Sequence, residues 1–387
     1  MDVTGLRESM VAKLTEQQGV SERVAAAMRA VPRHLFVPGV PPDEAYRDEP
    51  IVTRRDDAGR PTSSSSQPAI MAAMLDQLDV RPGHRVLEIG AGTGYNAALL
   101  ARLAAPGGLV VCLDIDADVA DEARAHLDEA GLPQVEVVCR DGAEGHPERA
   151  PYDRLIATVG AWDLAPAWME QLAPGGRMVV PLDVNGLQLS VALDRDGDHW
   201  TSRSVLPCGF MRMRGSLAGT EVTEVVSRDP QVALSLPGPR ELGDLAAALG
   251  SAPVELPLGD LLDGRKAPQD GAWDAGHHTG VPMWLALHEP RWCTVLGEEH
   301  GFCAGIAEPS AVALLPLWGD AVVRGHGPGG ERLARELLAH VRAWTDAGRP
   351  QPTGLRIDVH PAGADVPGPL VVRKRHTTVS VALPSRG

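Results

Sequence analysis

The chain has 387 residues, 44% of them hydrophobic and 22% charged, and a formal net charge of −15. This acidic balance argues against nucleic acid and anionic membranes as partners, because both attract positively charged surfaces. No apolar run is long enough to cross a bilayer, and the N-terminus lacks the pattern of a signal peptide, so we expect a cytoplasmic protein.

The first predicted elements are helices, because apolar residues recur at helical spacing over residues 5–30 and again after Pro68. Short apolar strands then alternate with helices as far as residue 181. The predicted strands span 85–89, 109–113, 135–139, 154–159 and 177–181, and the predicted helices span 96–103, 118–130 and 165–172. Such alternation is typical of an α/β fold with a doubly wound, mostly parallel sheet that helices cover on both faces.

After about residue 216 the alternation stops. We predict helices over 241–249 and 331–347, and strands over 283–288, 311–317, 320–323, 355–360 and 377–383. This pattern favours a catalytic domain over residues 1–216 and a C-terminal α+β domain over residues 217–387. The five cysteines lie far apart, and His277, His278 and His326 have no carboxylate or cysteine at ligand spacing, so no metal site is predicted.

The strongest local signal is the sequence VLEIGAGTGY at residues 86–95. A buried strand ends there in a glycine-rich turn that opens a helix. Gly90, Gly92 and Gly94 let the backbone approach a ligand, and the helix N-terminus offers N–H groups to a carboxylate or phosphate. The dinucleotide spacing G-x-G-x-x-G would require a glycine at Tyr95, so a dinucleotide site is not predicted.

This glycine spacing, with Glu88 two residues before the first glycine, is the form seen in S-adenosylmethionine (SAM) methyltransferases. By that resemblance, residues 90–95, including Tyr95, form the cofactor loop, and Glu88 faces the amino group of the cofactor. Asp114 ends the next strand and accepts the ribose hydroxyls, while Asp141 and Gly142 lie near the adenine. We therefore predict SAM as cofactor and S-adenosyl-L-homocysteine as product; a tight turn without a ligand is the alternative.

Three upstream segments narrow the class. They are AVPRHLFV at residues 30–37, AYRDEP at 45–50 and SSSQP at 64–68, and they resemble, in order, three motifs of protein-L-isoaspartate O-methyltransferases. The resemblance covers about residues 15–215 and implies methyl transfer to the carboxylate of an aspartyl-derived residue in a peptide. By motif match, Ser66 would orient that carboxylate; a flexible polar linker is the alternative interpretation of residues 63–66.

Some residues depart from the family pattern. Ser64 and Ser65 stand where the family has Thr-Ile, and we treat them as weaker candidates for substrate binding. Arg212 and Arg214 occur where the family usually closes with a strand of sequence FVPL. They would grip an acidic peptide at the substrate edge, or else be solvated surface arginines.

The region beyond residue 216 resembles two-domain family members that accompany ribosomally made peptides such as lanthipeptides and graspetides. This resemblance implies methylation of a normal aspartate in a modified precursor peptide, followed by closure to an aspartimide and in some cases hydrolysis to isoaspartate. Two alternatives stay open: repair of isoaspartate in damaged proteins, and a non-catalytic scaffold that binds a peptide. The sequence does not predict the oligomeric state.

Overall fold

The computed structural model describes residues 2–56, 59, 61–228, 231–259, 276–318, 322–368 and 370–383. Its helices are α1 (Val3–Gln18), α2 (Glu22–Ala30), α3 (Pro42–Ala45), α4 (Pro68–Leu78), α5 (Tyr95–Ala104), α6 (Ala117–Glu129), α7 (Pro166–Gln171), α8 (Leu245–Leu249), α9 (His277–His288) and α10 (Gly330–Asp346).

The strands of the first half of the chain are β1 (Ile51–Arg55), β2 (Pro61–Ser65), β3 (Arg85–Ile89), β4 (Leu109–Asp114), β5 (Glu136–Cys139), β6 (Tyr152–Ala157), β7 (Leu172–Val184), β8 (Leu187–Asp196) and β9 (His199–Pro207). Those of the second half are β10 (Val222–Arg228), β11 (Gln231–Leu236), β12 (Val254–Pro257), β13 (Trp292–Gly297), β14 (Gly301–Glu308), β15 (Ala311–Pro316), β16 (Val322–His326), β17 (Arg356–Pro361), β18 (Leu370–Arg373) and β19 (Thr377–Ala382).

Within the described residues, ten strands form the main sheet in the order β18-β19-β17-β9-β8-β7-β6-β3-β4-β5. The pairs from β7 to β5 in this order (β7-β6, β6-β3, β3-β4 and β4-β5) are parallel. The pairs from β7 towards β18 are antiparallel. The predicted α/β doubly wound sheet is confirmed. Its strand order reverses between β3 and β6, the place where ligands bind in open α/β sheets.

Both faces of the central parallel strands are buried, which explains why their sequences are largely apolar. On β3, Val86 packs into a core with α1, α2, α4, α5 and α6, and the next residue, Leu87, packs into a core on the opposite face with Trp168 of α7. The alternation of side chains along a strand therefore divides one apolar run between two cores.

A second sheet has the order β10-β11-β13-β14-β15-β16-β12, and its strands are antiparallel. Helices α9 and α10 pack on one face of this sheet and α8 packs on the other. Helix α9 also joins the two sheets, because its Met283 and Leu287 belong to the core of the main sheet while Leu285 packs with α10.

Residues 283–288 were predicted as a strand, and this prediction is wrong because they form the end of α9. A short apolar run reads the same in a buried helix as in a buried strand, and α9 is buried between two sheets. Residues 210–214 do not form a closing strand; Arg212 makes a single parallel bridge to Gly160. Residues 320 and 321 of the strand predicted over 320–323 lie outside the described residues.

The predicted division at residue 216 also needs correction. Strands β17, β18 and β19 do not belong to the second sheet but extend the main sheet from the edge of β9. Asp358 of β17 is paired with Thr201 of β9, and the Thr201 hydroxyl donates to its carboxylate at 2.6 Å. The second sheet is therefore an insertion between β9 and β17. The edge of β9 would otherwise have unpaired backbone groups, and β17, from far along the chain, pairs with it.

Candidate active site

A cavity of about 510 Å³ opens at the carboxyl ends of β3, β4 and β6. That volume is within the usual range for small-molecule sites. Its walls are the β1–β2 hairpin with the serines that follow, the glycine loop after β3, the end of β4, and the segment 208–214. The cavity brings together most of the residues predicted from sequence.

The glycine loop forms the floor of this cavity. Gly90 has a φ of +97°, and an added Cβ would lie 2.9 Å from a methyl group of Val159. At Gly92, with φ +50°, an added Cβ would lie 3.3 Å from the carbonyl oxygen of Ser64, so the serine segment runs directly against the loop. Gly94 is the N-cap of α5 and is not among the described residues that line the cavity.

Asp114 lines the cavity at the end of β4. Its carboxylate accepts hydrogen bonds from the backbone N–H of Gly92 at 3.1 Å and of Asp116 at 3.2 Å. Burial raises the pKa of Asp114 above its usual range, although these two donors oppose the effect. The carboxylate is thus fixed beside the glycine loop, where it can accept hydroxyl groups from a ligand.

Glu88 lines the cavity and is bonded to two residues that were not predicted as site residues. Its side chain is fully buried, and its two carboxylate oxygens accept from the Asn96 side-chain amide at 2.8 Å and from the Cys112 thiol at 2.9 Å. Burial raises the pKa of Glu88 to about 7. Asn96 lies on the first turn of α5 and Cys112 is the register partner of Glu88 on β4, so the carboxylate joins strand and helix at a point where Glu88 also lines the cavity.

Asp141 and Gly142 have separate positions. Gly142 lines the cavity, but Asp141 is not among the described lining residues. The Asp141 carboxylate accepts from the backbone N–H of Ala143 at 3.0 Å and of Ser216 at 2.9 Å. It therefore fixes the loop after β5 to the segment that follows the cavity wall, and the predicted direct contact of this side chain with a cofactor is not supported.

Tyr95 lines the cavity but is almost fully buried. Its ring packs against Phe36 with 5.5 Å between centroids, and its hydroxyl has no hydrogen-bond partner among the described residues. Burial raises the pKa of this phenol. Tyr95 thus supports the wall between the glycine loop and the N-terminal helices.

The three upstream motifs meet beside the serine segment. The guanidinium of Arg33 donates to backbone carbonyls of residues 45, 47, 49, 65 and 66. Asp48 accepts from the Gln67 side chain at 3.0 Å and from the Ala69 N–H at 2.8 Å, which caps α4. Ser66 lies between these two anchors and lines the cavity, so residues 63–66 are not a flexible linker.

Ser64 and Ser65 differ in accessibility. Ser64 lines the cavity and is partly exposed, whereas Ser65 is buried, with its hydroxyl 3.5 Å from the Arg33 guanidinium. Ser65 also pairs with Ile51 across the β1–β2 hairpin. Of the two, Ser64 has the better position for contact with a substrate.

Both arginines of the segment 208–214 line the cavity and have partners within the chain. The Arg212 Nε lies 3.4 Å from a carboxylate oxygen of Glu221, whose side chain is 3% exposed. Arg214 pairs with Asp116, with 3.3 Å between Nη1 and Oδ1. Each arginine therefore closes an ion pair within the chain, and Arg214 remains exposed, with 48% of its side chain accessible to solvent.

A third arginine reaches the same helix from the opposite wall. Arg54, on β1, pairs with Asp118 and, at 2.7 Å, with Glu122, both on α6. The β1–β2 hairpin and the segment that carries Arg214 therefore both bond to α6 or the residue before it, on two sides of one cavity.

Several site residues have no signal of their own in the sequence. Arg33 and Asp48 lie in quoted motifs, but nothing in their spacing shows which carbonyls and amides they bind. Thr158 follows β6, and its hydroxyl donates to the Gly90 carbonyl at 2.7 Å. Asn96 and Cys112 could have been found only from the register of β3 and β4.

The fold and the cavity define a class. At Gly90 and Gly92 an added Cβ would meet neighbouring atoms, so the loop keeps its backbone free of side chains. The Asp114 carboxylate is fixed beside this loop at the switch point of the parallel sheet, and the arrangement fits SAM. In the described residues no group of three or more His, Cys, Asp or Glu could hold a metal ion, and no helix has the length and apolarity to cross a membrane. The protein is a SAM-dependent methyltransferase.

The family model described as protein-L-isoaspartate(D-aspartate) O-methyltransferase matches residues 6–216, more than half of the chain. The chain belongs to this family, whose members are carboxyl O-methyltransferases. It is 43% identical over 184 residues to the protein-L-isoaspartate O-methyltransferase of Methanopyrus kandleri, an alignment that covers 47% of this chain and 79% of that protein.

Two further similarities extend beyond residue 216. The protein-L-isoaspartate O-methyltransferase of Thermotoga maritima is 31% identical over 274 residues, which cover 70% of this chain and 83% of that protein. A solved structure of a protein-L-isoaspartate O-methyltransferase covers 97% of this chain and 99% of its own, with a TM-score of 0.54 and 25% identity. The second sheet and the strands after it therefore do not set this chain apart from proteins that carry the family's name.

Proposed function

We propose that the protein methylates the free carboxylate of isoaspartyl residues in peptides and proteins. The observation that carries the proposal is one cavity that is lined by Ser66, the glycine loop and Asp114. The residue that the motif match assigns to the substrate thus shares a cavity with those that fit the cofactor, and this supports the proposal.

The chemistry needs little from the protein beyond placement. A carboxylate is ionised at pH 7 and is already nucleophilic, so no general base is required. The protein has to hold one carboxylate oxygen in line with the methyl group and exclude water. When bound, SAM supplies that methyl group and leaves as S-adenosyl-L-homocysteine once the ester carbon–oxygen bond has formed.

Each site residue has a task in this scheme. Gly90 and Gly92 give the cofactor access to the backbone, and Asp114 accepts its ribose hydroxyls. The Ser66 hydroxyl donates to one oxygen of the substrate carboxylate, which leaves the other oxygen to react. Thr158 holds the glycine loop through its bond to the Gly90 carbonyl.

A normal aspartate in a modified precursor peptide is the other substrate proposed from sequence. One reason for it was the region beyond residue 216, but isoaspartate-named relatives align with much or nearly all of that region. A second reason was an arginine pair for an acidic peptide, and both arginines are paired within the chain. The isoaspartyl substrate therefore has the stronger support.

The test uses the full-length protein, SAM, and two synthetic peptides that differ only in a normal or an isoaspartyl linkage at one position. Methyl ester formation is followed by mass spectrometry. We expect the isoaspartyl peptide to be preferred in kcat/KM by about tenfold or more, since only one linkage places its free carboxylate at Ser66. Methylation of a normal aspartate in a constrained precursor peptide, with the isoaspartyl peptide untouched, would favour the other substrate.

Ser66→Ala tests the assigned residue in the same assay. It should reduce turnover of the isoaspartyl peptide about tenfold or more, with SAM affinity unchanged, because an orienting hydrogen bond is lost in the transition state. Ser235→Ala is the matched control, since that hydroxyl pairs with Thr223 at 3.1 Å in the second sheet. Equal turnover of Ser66→Ala and the control would contradict the role assigned to Ser66.

A further inference from the structure

Arg33 is a charged side chain in an unusual environment. It is fully buried, and its hydrogen-bond acceptors in the described residues are backbone carbonyls and one serine hydroxyl rather than a carboxylate. Its Nε has no partner among the described residues. An arginine stays charged under physiological conditions, so this burial is costly unless the carbonyls are held in place around it.

The acceptors come from two separate segments. Nη1 donates to the carbonyl of Ala45, the last residue of α3, at 2.7 Å and to that of Arg47, on the loop that follows, at 3.2 Å. Nη2 donates to the carbonyls of Glu49 at 3.2 Å and Ser66 at 3.0 Å. The planar guanidinium has a fixed set of donor directions, so these bonds fix the Ser66 backbone relative to the neighbouring loop.

The residue after Ser66 is fixed from the other side. Gln67 is the N-cap of α4, and its amide donates to both the side chain and the backbone carbonyl of Asp48. Ser66 therefore links β2, whose last residue is bonded to Arg33, with α4, whose N-terminus is bonded to Asp48. A shift of its carbonyl would also move its hydroxyl within the cavity that Ser66 lines.

We propose that Arg33 is a positioning residue that orients the Ser66 hydroxyl for methyl transfer by holding the Ser66 carbonyl. This inference rests on the proposed role of Ser66 at the substrate carboxylate. Arg33 does not line the cavity, so it acts through Ser66 and contacts neither the cofactor nor the substrate.

The experiment is a double-mutant cycle in the full-length protein with the isoaspartyl peptide. Arg33→Lys keeps the charge but loses the planar set of donors. We expect kcat to fall about tenfold or more while the SAM dissociation constant, measured by calorimetry, stays within about twofold. Because both changes disable the same hydroxyl, Arg33→Lys combined with Ser66→Ala should be no slower than Ser66→Ala alone.

Arg240→Lys is a matched control from the second sheet region. Arg240 also donates to three backbone carbonyls, those of Pro290, Arg291 and Trp292, and its Nε also lacks a partner among the described residues. This variant should have a lower melting temperature, because the hydrogen bonds from Arg240 to these carbonyls are lost. Its kcat should match that of the wild-type protein, alone and on the Ser66→Ala background.

The outcomes separate the two proposals. If Ser66→Ala keeps wild-type turnover, the proposed role of Ser66 fails and this inference fails with it. If Ser66→Ala lowers kcat and Arg33→Lys lowers kcat of Ser66→Ala by the same factor as it lowers kcat of the wild-type protein, only the positioning role is wrong. Arg33→Gln, which removes the charge, is a second variant; loss of cooperative folding in both Arg33 variants would make Arg33 a folding residue and overturn the proposal.

Discussion

Replacing Glu88 with glutamine should change how the stability of the protein depends on pH. The Glu88 side chain is fully buried, and burial raises its pKa from 4.5 to about 7, against opposing hydrogen bonds from Cys112 and Asn96. Glutamine has the same shape and stays neutral at every pH. The difference in unfolding free energy between the two proteins therefore isolates the titration of this one carboxyl group.

The direction follows from proton binding. Between pH 4.5 and about 7 the folded protein keeps the Glu88 proton while the unfolded chain releases it. The folded state then binds more protons, so its stability falls as pH rises through this window and levels off above it. The gap between the two pKa values corresponds to about 3 kcal/mol at 25 °C.

Urea unfolding at pH 5 and pH 8, followed by tryptophan fluorescence and circular dichroism, measures this difference. Between pH 5 and pH 8, the unfolding free energy of Glu88→Gln should rise by up to about 3 kcal/mol relative to that of the wild-type protein. The amide's own effect on Asn96 and Cys112 is the same at both pH values and cancels. Glu331→Gln, at an exposed position on α10, controls for the loss of one carboxylate. A gap between Glu88→Gln and wild type that does not change with pH would refute the reasoning.

Two further predictions concern the cofactor. Asp114→Asn should weaken SAM and S-adenosyl-L-homocysteine binding about tenfold or more, because ribose hydroxyls lose a charged acceptor; wild-type affinity by calorimetry would contradict the assignment. Combining Arg54→Gln and Arg214→Gln should speed product release a few-fold and reduce its dependence on salt, since exposed ion pairs close both walls onto α6. Stopped-flow release should show no such change for Arg335→Gln, which breaks an exposed pair on α10.

The parallel half of the main sheet was predictable because its signals are local. Strands β3, β4 and β6 are each a short apolar run followed by a turn and a helix, and this alternation fixes the topology. The cofactor loop and Asp114 follow from the same register, since the carboxyl ends of parallel strands share one edge. The helix over 330–346 has a clear apolar stripe and was found for a similar reason.

What the sequence could not show depends on contacts between distant segments. The strands β17 and β19 were found, but their addition to the edge of β9 has no local signature. Glu88 and Asp141 were predicted to face the cofactor, and Arg212 and Arg214 were predicted either to grip a peptide or to be solvated. Each has a partner brought in by tertiary packing that the sequence does not show, such as the Cys112 thiol or the buried carboxylate of Glu221.

The three upstream motifs show how a local pattern can carry non-local information. They look independent in the sequence, but Arg33 of the first motif binds carbonyls of the second and third, and Asp48 of the second binds Gln67 of the third. A buried guanidinium is tolerated only while enough acceptors meet it, so a shift of either loop leaves a charge without partners. The loops therefore have one arrangement in which the charge is satisfied, and in that arrangement Ser66 lines the same cavity as the glycine loop.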